Sequence, residues 1–444
     1  MRQSGKGCPG AAAACGEPPA RPRSAPAAAM AALDRQLPEP LSQRLEVKLE
    51  ARRLEEPQLR QIEVAVQETG VDPLEALFGT PRLRVYSERP FLILARKPRD
   101  PRYDYIELLK RVLREVYRVS WRAPLYSQHI ARRLTEYQLA MMRAGMTIYV
   151  LDLDELGVEE GSVDKITASS HLARSLEDRV REAYAQGFGF LVVYASQPAL
   201  KAIERIWEPR IGSRGMLYTR LPPPLETSIV EDDTVFEMVA AMYGLSSDDL
   251  GEASSLVDAV MMAEHRYYSY LESMASDPTL ALLARPAGDE EEARPEEGFM
   301  HYAFKMAVLS YLLEAGFDES GLAVEERVAS AVTVDILARR GWYSKLAVEV
   351  ETLYGSGNPV ARLSSVIRDR LAMGYRVWLV VPPLQASIYA PHLRVLAGKY
   401  AGVENVEIYT LDMSTGSLVP LKEHLDRLER LAAKLPRAGL ADKG

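Results

Sequence analysis

An aspartate sits inside an otherwise apolar run, Val332-Thr333-Val334-Asp335-Ile336-Leu337-Ala338, and a second run shortly after it reads Leu346-Ala347-Val348-Glu349-Val350-Glu351-Thr352. Both runs have the composition of β-strands, yet aspartate is depleted in strands. A carboxylate among apolar neighbours needs a partner or a bound cation to offset its lost hydration. Side chains two apart on a strand share a face, so Glu349 and Glu351 project together while Val348 and Val350 turn to the core. If the two runs pair antiparallel, Asp335 stands beside Glu349. Three carboxylates on one small surface repel one another, and a divalent cation relieves that repulsion. Val-Glu-Val-Glu by itself is also what a half-exposed amphipathic strand looks like, so Asp335 is the residue that singles out this place.

The surrounding pattern gives an order of elements. Residues 299–315 read as a helix with Phe304, Val308 and Leu312 on one face. Strands are expected at 322–328, 332–338 and 345–352, then a glycine-rich turn at 354–358. A helix follows over 359–373, with Asn358 placed to cap it and Pro359 at its first position. A strand at 376–381, a helix at 386–399, a strand at 406–411 and a closing helix at 421–435 complete the series.

This succession of helix, acidic strand, Glu-x-Glu strand, glycine-rich turn and helix resembles the PD-(D/E)XK nuclease superfamily over roughly residues 298–421. The resemblance implies a restriction-endonuclease-like αβββαβ domain that hydrolyses phosphodiesters of nucleic acid with Mg²⁺ or Mn²⁺. DNA is the expected substrate ahead of RNA, and the expected enzyme is an endonuclease. The superfamily's signature aspartate falls on Asp335 and the first acid of its second motif on Glu349, both as metal ligands. Glu351 stands where the family usually carries lysine, and is expected as a third ligand or a water-orienting base; Lys345 is the residue that could replace the lysine on a regular strand. Glu326 is expected as an extra acid, with its neighbour Glu325 as rival. His301 and Lys305, one helical turn apart, share a face that Glu297 could extend. They are expected, with Arg362, Arg368 and Arg370, to hold the nucleic acid, and Arg376 adds to the positive character; a solvated polar face is the plainer reading of all of these. Gln385 and Tyr389 superficially match a glutamine–tyrosine pair of recombination-type nucleases, one strand later than that pattern expects. The alternative function is a nuclease-fold module that has lost its chemistry and binds nucleic acid or protein.

The rest of the chain is read as α/β too, in several domains. Residues 1–40 are rich in Ala, Pro, Gly and Arg and are expected to be a disordered tail, with Met30 as a candidate translation start. Residues 41–82 read as a helical segment. Residues 83–225 read as an α/β module, with a strand pair at 83–86 and 91–95, helices at 105–117, 130–143 and 175–186, and strands at 146–153 and 188–194. Residues 226–283 are a helical region, 284–297 an acidic linker, and 298–444 the nuclease-like domain with its closing helix. The module at 83–225 carries no motif that fixes a role; a protein partner is one expectation for it.

Within that module, Asp152 and Asp154 resemble the start of a haloacid-dehalogenase-type phosphatase, but no companion motif follows. His265 and Glu264, beside Tyr267, Tyr268 and Tyr270, read as a packing face. The only cysteines are Cys8 and Cys15, which excludes a disulfide framework or thiolate metal site beyond residue 15. No apolar run suffices to cross a bilayer and no secretory signal is evident, so a cytoplasmic protein without membrane contact is expected. The net charge of −8 argues against coating nucleic acid through bulk positive charge. From Gly298 onward, however, 17 Lys and Arg stand against 16 Asp and Glu. A homodimer is left open.

Overall fold

Two β-sheets share one buried core in a computed structural model, which describes residues 71–84, 92–117, 126–130, 147–153, 190–201, 224–284, 298–329, 332–340, 344–353 and 359–436. The protein is mixed α/β, with one all-parallel and one mixed sheet. Among the described residues no helix is long and apolar enough to cross a membrane.

The first sheet is built from β1 (Leu92–Arg96), β2 (Tyr126–Ile130), β3 (Thr147–Asp152), β4 (Phe190–Ala195) and β5 (Leu225–Thr227), in the order β2-β3-β4-β1-β5. All four pairings are parallel. Parallel strands need long crossovers, and a strand covered on both faces reads as a continuous apolar run. Leu-Ile-Leu-Ala of β1 and Leu-Val-Val-Tyr of β4 are such runs, buried throughout. The hairpin expected at 83–95 does not form. Residues Arg82–Arg84 make a 3₁₀ turn, and β1 pairs instead with β4 and β5. A short apolar run next to a polar one signals a strand but not its partner. Ile130, the first residue of the helix expected at 130–143, ends strand β2; the rest of that helix, the helix at 175–186, the segment 41–70 and the acidic linker beyond Ala284 lie outside the described residues.

Helix α1 (Pro73–Phe78) is capped by Asp72, whose carboxylate accepts from Leu74 N at 3.0 Å, with Pro73 at its first position. Helix α2 (Ile106–Tyr117) is buried along nearly its whole length, charged residues included. Helices α3 (Thr234–Met242), α4 (Leu256–Ala275) and α5 (Pro278–Leu283) follow.

Helix α6 (Phe299–Glu314) runs between α4 and the second sheet, and from Ala303 to Leu309 every residue is buried. The second sheet contains β6 (Leu322–Ala329), β7 (Val332–Arg340), β8 (Ser344–Val350), β9 (Arg376–Val380), β10 (Val406–Leu411) and β11 (Leu418–Pro420), in the order β11-β10-β9-β8-β7-β6. Strands β6, β7 and β8 form an antiparallel meander; β8, β9 and β10 are parallel; β11 closes the edge antiparallel. Helix α7 (Pro359–Ala372) makes the β8–β9 crossover, and α8 (Pro383–Ile388) and α9 (Ala390–Lys399) make the next. The single helix expected at 386–399 is thus two, parted at Tyr389. Pro391 lacks the N–H that would continue one helix into the next. Helix α10 (Leu421–Lys434) packs back on α3 and α1.

The halves interlock at Gly244, just after α3. Its φ is +70°, its carbonyl accepts from Met413 N at 2.8 Å, and a Cβ there would lie 2.6 Å from the Leu411 carbonyl oxygen. An L-residue in the left-handed region costs roughly 1–2 kcal/mol, and the collision is with backbone that cannot turn aside. Gly244→Ala should therefore destabilise the protein by about 2–4 kcal/mol, read as a lower urea midpoint with an unchanged slope.

Candidate active site

The meander β6–β8 is regular at one end and irregular at the other. Ile336, Ala338, Leu346, Val348 and Val324 lie in the main core beneath α6, whereas Val334, Leu337 and Ala347 form a small separate cluster with Ala323, Val328 and Tyr375. On a regular strand Val334 and Ile336 would share a face. Here they belong to different clusters, so the alternation slips by one residue at Asp335. The same slip occurs opposite, on β6. Glu325 has φ +55°, the only positive φ of a non-glycine residue among the described ones. The register of β6 on β7 is the same on both sides of this level, from Ala323↔Leu337 to Arg327↔Thr333. Consecutive residues on each strand, Val324 with Glu325 and Asp335 with Ile336, consequently face α6.

Two side chains of α6 meet them. Lys305 is 1% exposed, and its Nζ donates to Glu325 Oε1 at 2.5 Å. His301 Nε2 lies 3.2 Å from Asp335 Oδ1. The other oxygen, Asp335 Oδ2, accepts the backbone N–H of Val350 at 2.8 Å. The β7–β8 ladder runs from Arg340↔Ser344 to Ile336↔Val348 and stops there. Beyond that point the strands part, and a carboxylate takes the N–H that β7's backbone no longer reaches.

Glu349 and Glu351 stand at this parting. Glu349 is buried and accepts from Arg370 Nε of α7 at 2.5 Å; Arg370 also donates to the Thr333 carbonyl at 2.9 Å, tying α7 to β7. Glu351 is 9% exposed, with Arg362 of α7 2.7 Å from its Oε2. That contact lacks the alignment of a hydrogen bond, so the buried oxygen is neutralised without being directionally satisfied. Four carboxylates, Glu325, Asp335, Glu349 and Glu351, thus each face a basic side chain.

Their acidities diverge. Burial pushes Asp335 up, but the bond and charge of His301, the charge of Lys305 and the Val350 N–H outweigh it and hold the group below the usual carboxylate range. Burial, then the negative charge of Asp335, push Glu349 up to about 8 against the pull of Arg370. Burial also raises Glu351, with Arg362 opposing and Asp335 reinforcing the rise. Carboxyl groups whose environments drive their affinities for protons apart are what acid–base or cation-dependent chemistry uses.

The oxygens available to a hard divalent cation would be those of carboxylates, one of them buried, with a proton retained on Glu349 chiefly through burial and then through the charge of Asp335. No three His, Cys, Asp or Glu residues among the described ones converge as a ready-made cage. Mg²⁺ in general needs fewer protein ligands than such a cage, since it binds through one or two carboxylates and completes its shell with water and phosphate oxygens.

The other residues singled out in the sequence fall elsewhere. Glu326 turns away from α6 and pairs with Arg339 at 3.4 Å; Glu325 takes the place beside Lys305. Lys345 pairs in register with Arg339 and lies over the Tyr375 ring, four residues, or about 13 Å at strand rise, from Glu349. Lys305 is enclosed instead of lying on a polar surface. Arg368 is exposed on the outer side of α7, where it lines a shallow cleft with Lys399 and Tyr400. Arg376 pairs with Glu407 at 2.9 Å. Gln385 and Tyr389 are buried; Gln385 Oε1 accepts from Leu353 N at 2.6 Å and its Nε2 donates to Glu115 of α2 at 3.0 Å. Asp152 pairs with Lys97 at 2.6 Å at the end of β3, while Asp154, Glu297 and the turn 354–358 lie outside the described residues. His265 is exposed, and Glu264 accepts from the Tyr243 hydroxyl at 3.3 Å.

The residues that sequence reasoning under-weighted are Lys305 and Glu325. The available signal was a lysine within Phe304-Lys305-Met306-Ala307-Val308-Leu309, a stretch too apolar to have a solvent face.

Comparison with protein families, with curated proteins and with solved structures yields no match for this chain.

The raised pKa of Glu349 fixes a pH dependence. An unfolded glutamate loses its proton near pH 4.5, whereas the folded group keeps it to about pH 8. The group's contribution to stability is therefore fully present below the lower value and is lost as pH rises through the upper one. Glu349→Gln, which mimics the protonated form, should match the wild type in urea denaturation at about pH 4 and exceed it progressively as pH rises to about 8. Equal losses in both proteins over that range would contradict the assignment.

Proposed function

We propose that residues 298–436 form a restriction-endonuclease-like domain that hydrolyses phosphodiester bonds of nucleic acid, DNA ahead of RNA, with Mg²⁺ or Mn²⁺. The observation that supports this reading is that Asp335, Glu349 and Glu351 lie close enough together at the end of the β7–β8 ladder for the charge of Asp335 to raise both glutamates, within an αβββαβ order of elements.

Asp335 and Glu349 would hold the ion, with Glu351 as a third ligand or water-orienting base. Such an ion, when bound, polarises the phosphate and lowers the pKa of a bound water. The chain's own residues do the remaining work. His301 and the Val350 N–H fix both oxygens of Asp335, so that the group is pre-set and ionised. Arg370 anchors Glu349 to the β7 backbone. Lys305, enclosed behind the carboxylates, offsets part of their mutual repulsion without touching solvent. It supplies from α6 a positive charge of the kind the family resemblance would place at position 351.

A second reading has a specific observation in its favour. Each carboxylate is already matched by a basic side chain, and no lysine of β8 reaches the site. A nuclease-fold module that has lost its chemistry and binds nucleic acid or protein would look the same at rest.

The two readings separate in one assay. With Mn²⁺ and a panel of duplex, branched and single-stranded DNA and RNA, the wild-type chain should cleave at least one substrate. Asp335→Asn should reduce that cleavage by about 10²–10³-fold or more with little change in melting temperature. Cleavage that survives Asp335→Asn and Glu349→Gln together would refute the active-site assignment, and a wild type that binds but cuts nothing would favour the non-catalytic module.

A further inference from the structure

Helix α7 has a second working face. Arg362 and Arg370 lie against Glu351 and Glu349. Arg368 stands two residues before Arg370, about 200° round the helix, and so belongs to the opposite side. That side carries Ser364, Arg368, Leu371 and Ala372, spaced i, i+4, i+7 and i+8. With Lys399 and Tyr400 at the end of α9 they line a cleft of about 480 Å³, and none of these lining residues is acidic. The polar side chains of the cleft are donors with capacity to spare. Lys399 Nζ donates to Ser364 Oγ at 3.2 Å and lies 5.4 Å from the centre of the Tyr400 ring, which holds the ammonium at the cleft without neutralising it. Ser364 is 9% exposed; its oxygen accepts from Lys399, and its own hydrogen meets no acceptor among the described residues. Arg368 is exposed and donates to Ser365 Oγ at a long 3.4 Å. Among the described residues neither Arg368 nor Lys399 forms an ion pair, whereas both other arginines of α7 do.

We propose that the cleft between α7 and the end of α9 is a phosphate seat for nucleic acid, in which Arg368, Lys399 and the Ser364 hydroxyl hold a backbone phosphodiester on the side of α7 away from the carboxylates. The proposal rests on the nucleic-acid reading above and not on a cation at the acidic cluster, so it applies to a catalytic and to a non-catalytic module alike. Two cations and a hydroxyl donor are matched by a group that is negative and only accepts, and a phosphodiester is such a group. Leu371 and Ala372 offer apolar surface to the adjoining sugar. The fork of an arginine fits a carboxylate as well as a phosphate. The phosphodiester is favoured because α7 is about 10–12 Å across, so a polymer seated in the cleft passes Glu349 at about one helix width. The net charge of the chain is −8, which repels a polyanion overall. Attraction must then come from a few local cations without carboxylate partners, and Arg368 and Lys399 are two of that kind. Contacts of this type fix the position of the polymer and carry no sequence information.

The test is fluorescence anisotropy of labelled duplex and single-stranded oligonucleotides with the full chain, in EDTA so that binding is read without cleavage, over a series of salt concentrations. Melting curves establish folding. Arg368→Gln and Lys399→Gln should each weaken binding about tenfold at low salt, the scale of one charge-assisted bond. Each should also flatten the slope of log affinity against log salt by about 0.7–0.9, the share of one phosphate contact. Arg368→Lys keeps the charge and should keep the slope, which a purely structural role for Arg368 does not predict. On the wild type alone, saturating oligonucleotide should protect the Lys399 amine from acetylation, read by mass spectrometry; this covers the case in which a variant fails to fold. Unchanged affinity and slope in both glutamine variants, or a Lys399 that stays reactive beneath bound oligonucleotide, would overturn the cleft and leave the nucleic-acid reading standing. A wild type that binds no oligonucleotide removes that reading and the cleft with it. Oligoglutamate of equal charge that displaces the oligonucleotide as well as unlabelled oligonucleotide does would assign the cleft to an acidic polypeptide and overturn the phosphate seat.

Discussion

A helix enclosed on all sides has nowhere to put a charge except against an opposite one, and Lys305 obeys that constraint. From Ala303 to Leu309 helix α6 meets no solvent, so the ammonium must bring its anion inside. Glu325 supplies it, at the expense of a left-handed backbone in the middle of a strand, where a glutamate is strained by the order of 1–3 kcal/mol. The turn of Glu325 toward α6 shifts the alternation of β6, and β7 shifts with it at Asp335 without breaking register. That paired slip moves the aspartate from the face of Leu337 to the face of His301. The placement of Asp335 against His301 therefore accompanies the burial of one lysine, and the strained backbone is at Glu325, that lysine's partner.

This explains which parts of the site could be read from sequence. The anomaly of Asp335 was legible because a carboxylate in an apolar strand stands out whatever the neighbouring strands do, whereas the pairing that would bring it level with Glu349 ends one residue short, at Ile336↔Val348. Glu351 followed by parity from Glu349. Parity fails at the slip, however, and the choice between Glu325 and Glu326 turns on it. A rule that alternates faces has no way to foresee a left-handed residue, since that conformation is imposed by Lys305 from a helix twenty residues away. Lys345 failed for a simpler reason. Being on the right face does not shorten the four residues of strand between it and Glu349.

The fold itself was legible where periodicity was long. Helix α6, strands β6 to β10 and helix α7 fall within a residue or two of the expected bounds. The amino-terminal sheet was less so. Its strands are correctly placed at β1, β3 and β4, but a parallel sheet joins strands far apart in sequence, and nothing in a short apolar run names its partner. The short β11 escaped notice because three residues carry no periodicity.

The same reasoning about buried charge extends across the molecule. Helix α2 buries Arg111 and Glu115, which pair at 3.0 Å, and Arg111 also lies 3.5 Å from Glu264 of α4. Gln385 joins this group to the second sheet: one end of its amide donates to Glu115 and the other accepts the N–H of Leu353, two residues beyond Glu351. Such an amide has no rotation that satisfies one partner alone, because exchanging its oxygen and nitrogen would turn both bonds into repulsions. Gln385 therefore ties the backbone at the end of β8 to a helix packed on the amino-terminal sheet, through a path of direct hydrogen bonds and ion pairs. A displacement of α2 would leave Leu353 N or Glu115 unsatisfied in the interior, at a cost of about 1–3 kcal/mol. The backbone two residues beyond Glu351 is thereby tied through Gln385 to Glu115 of α2.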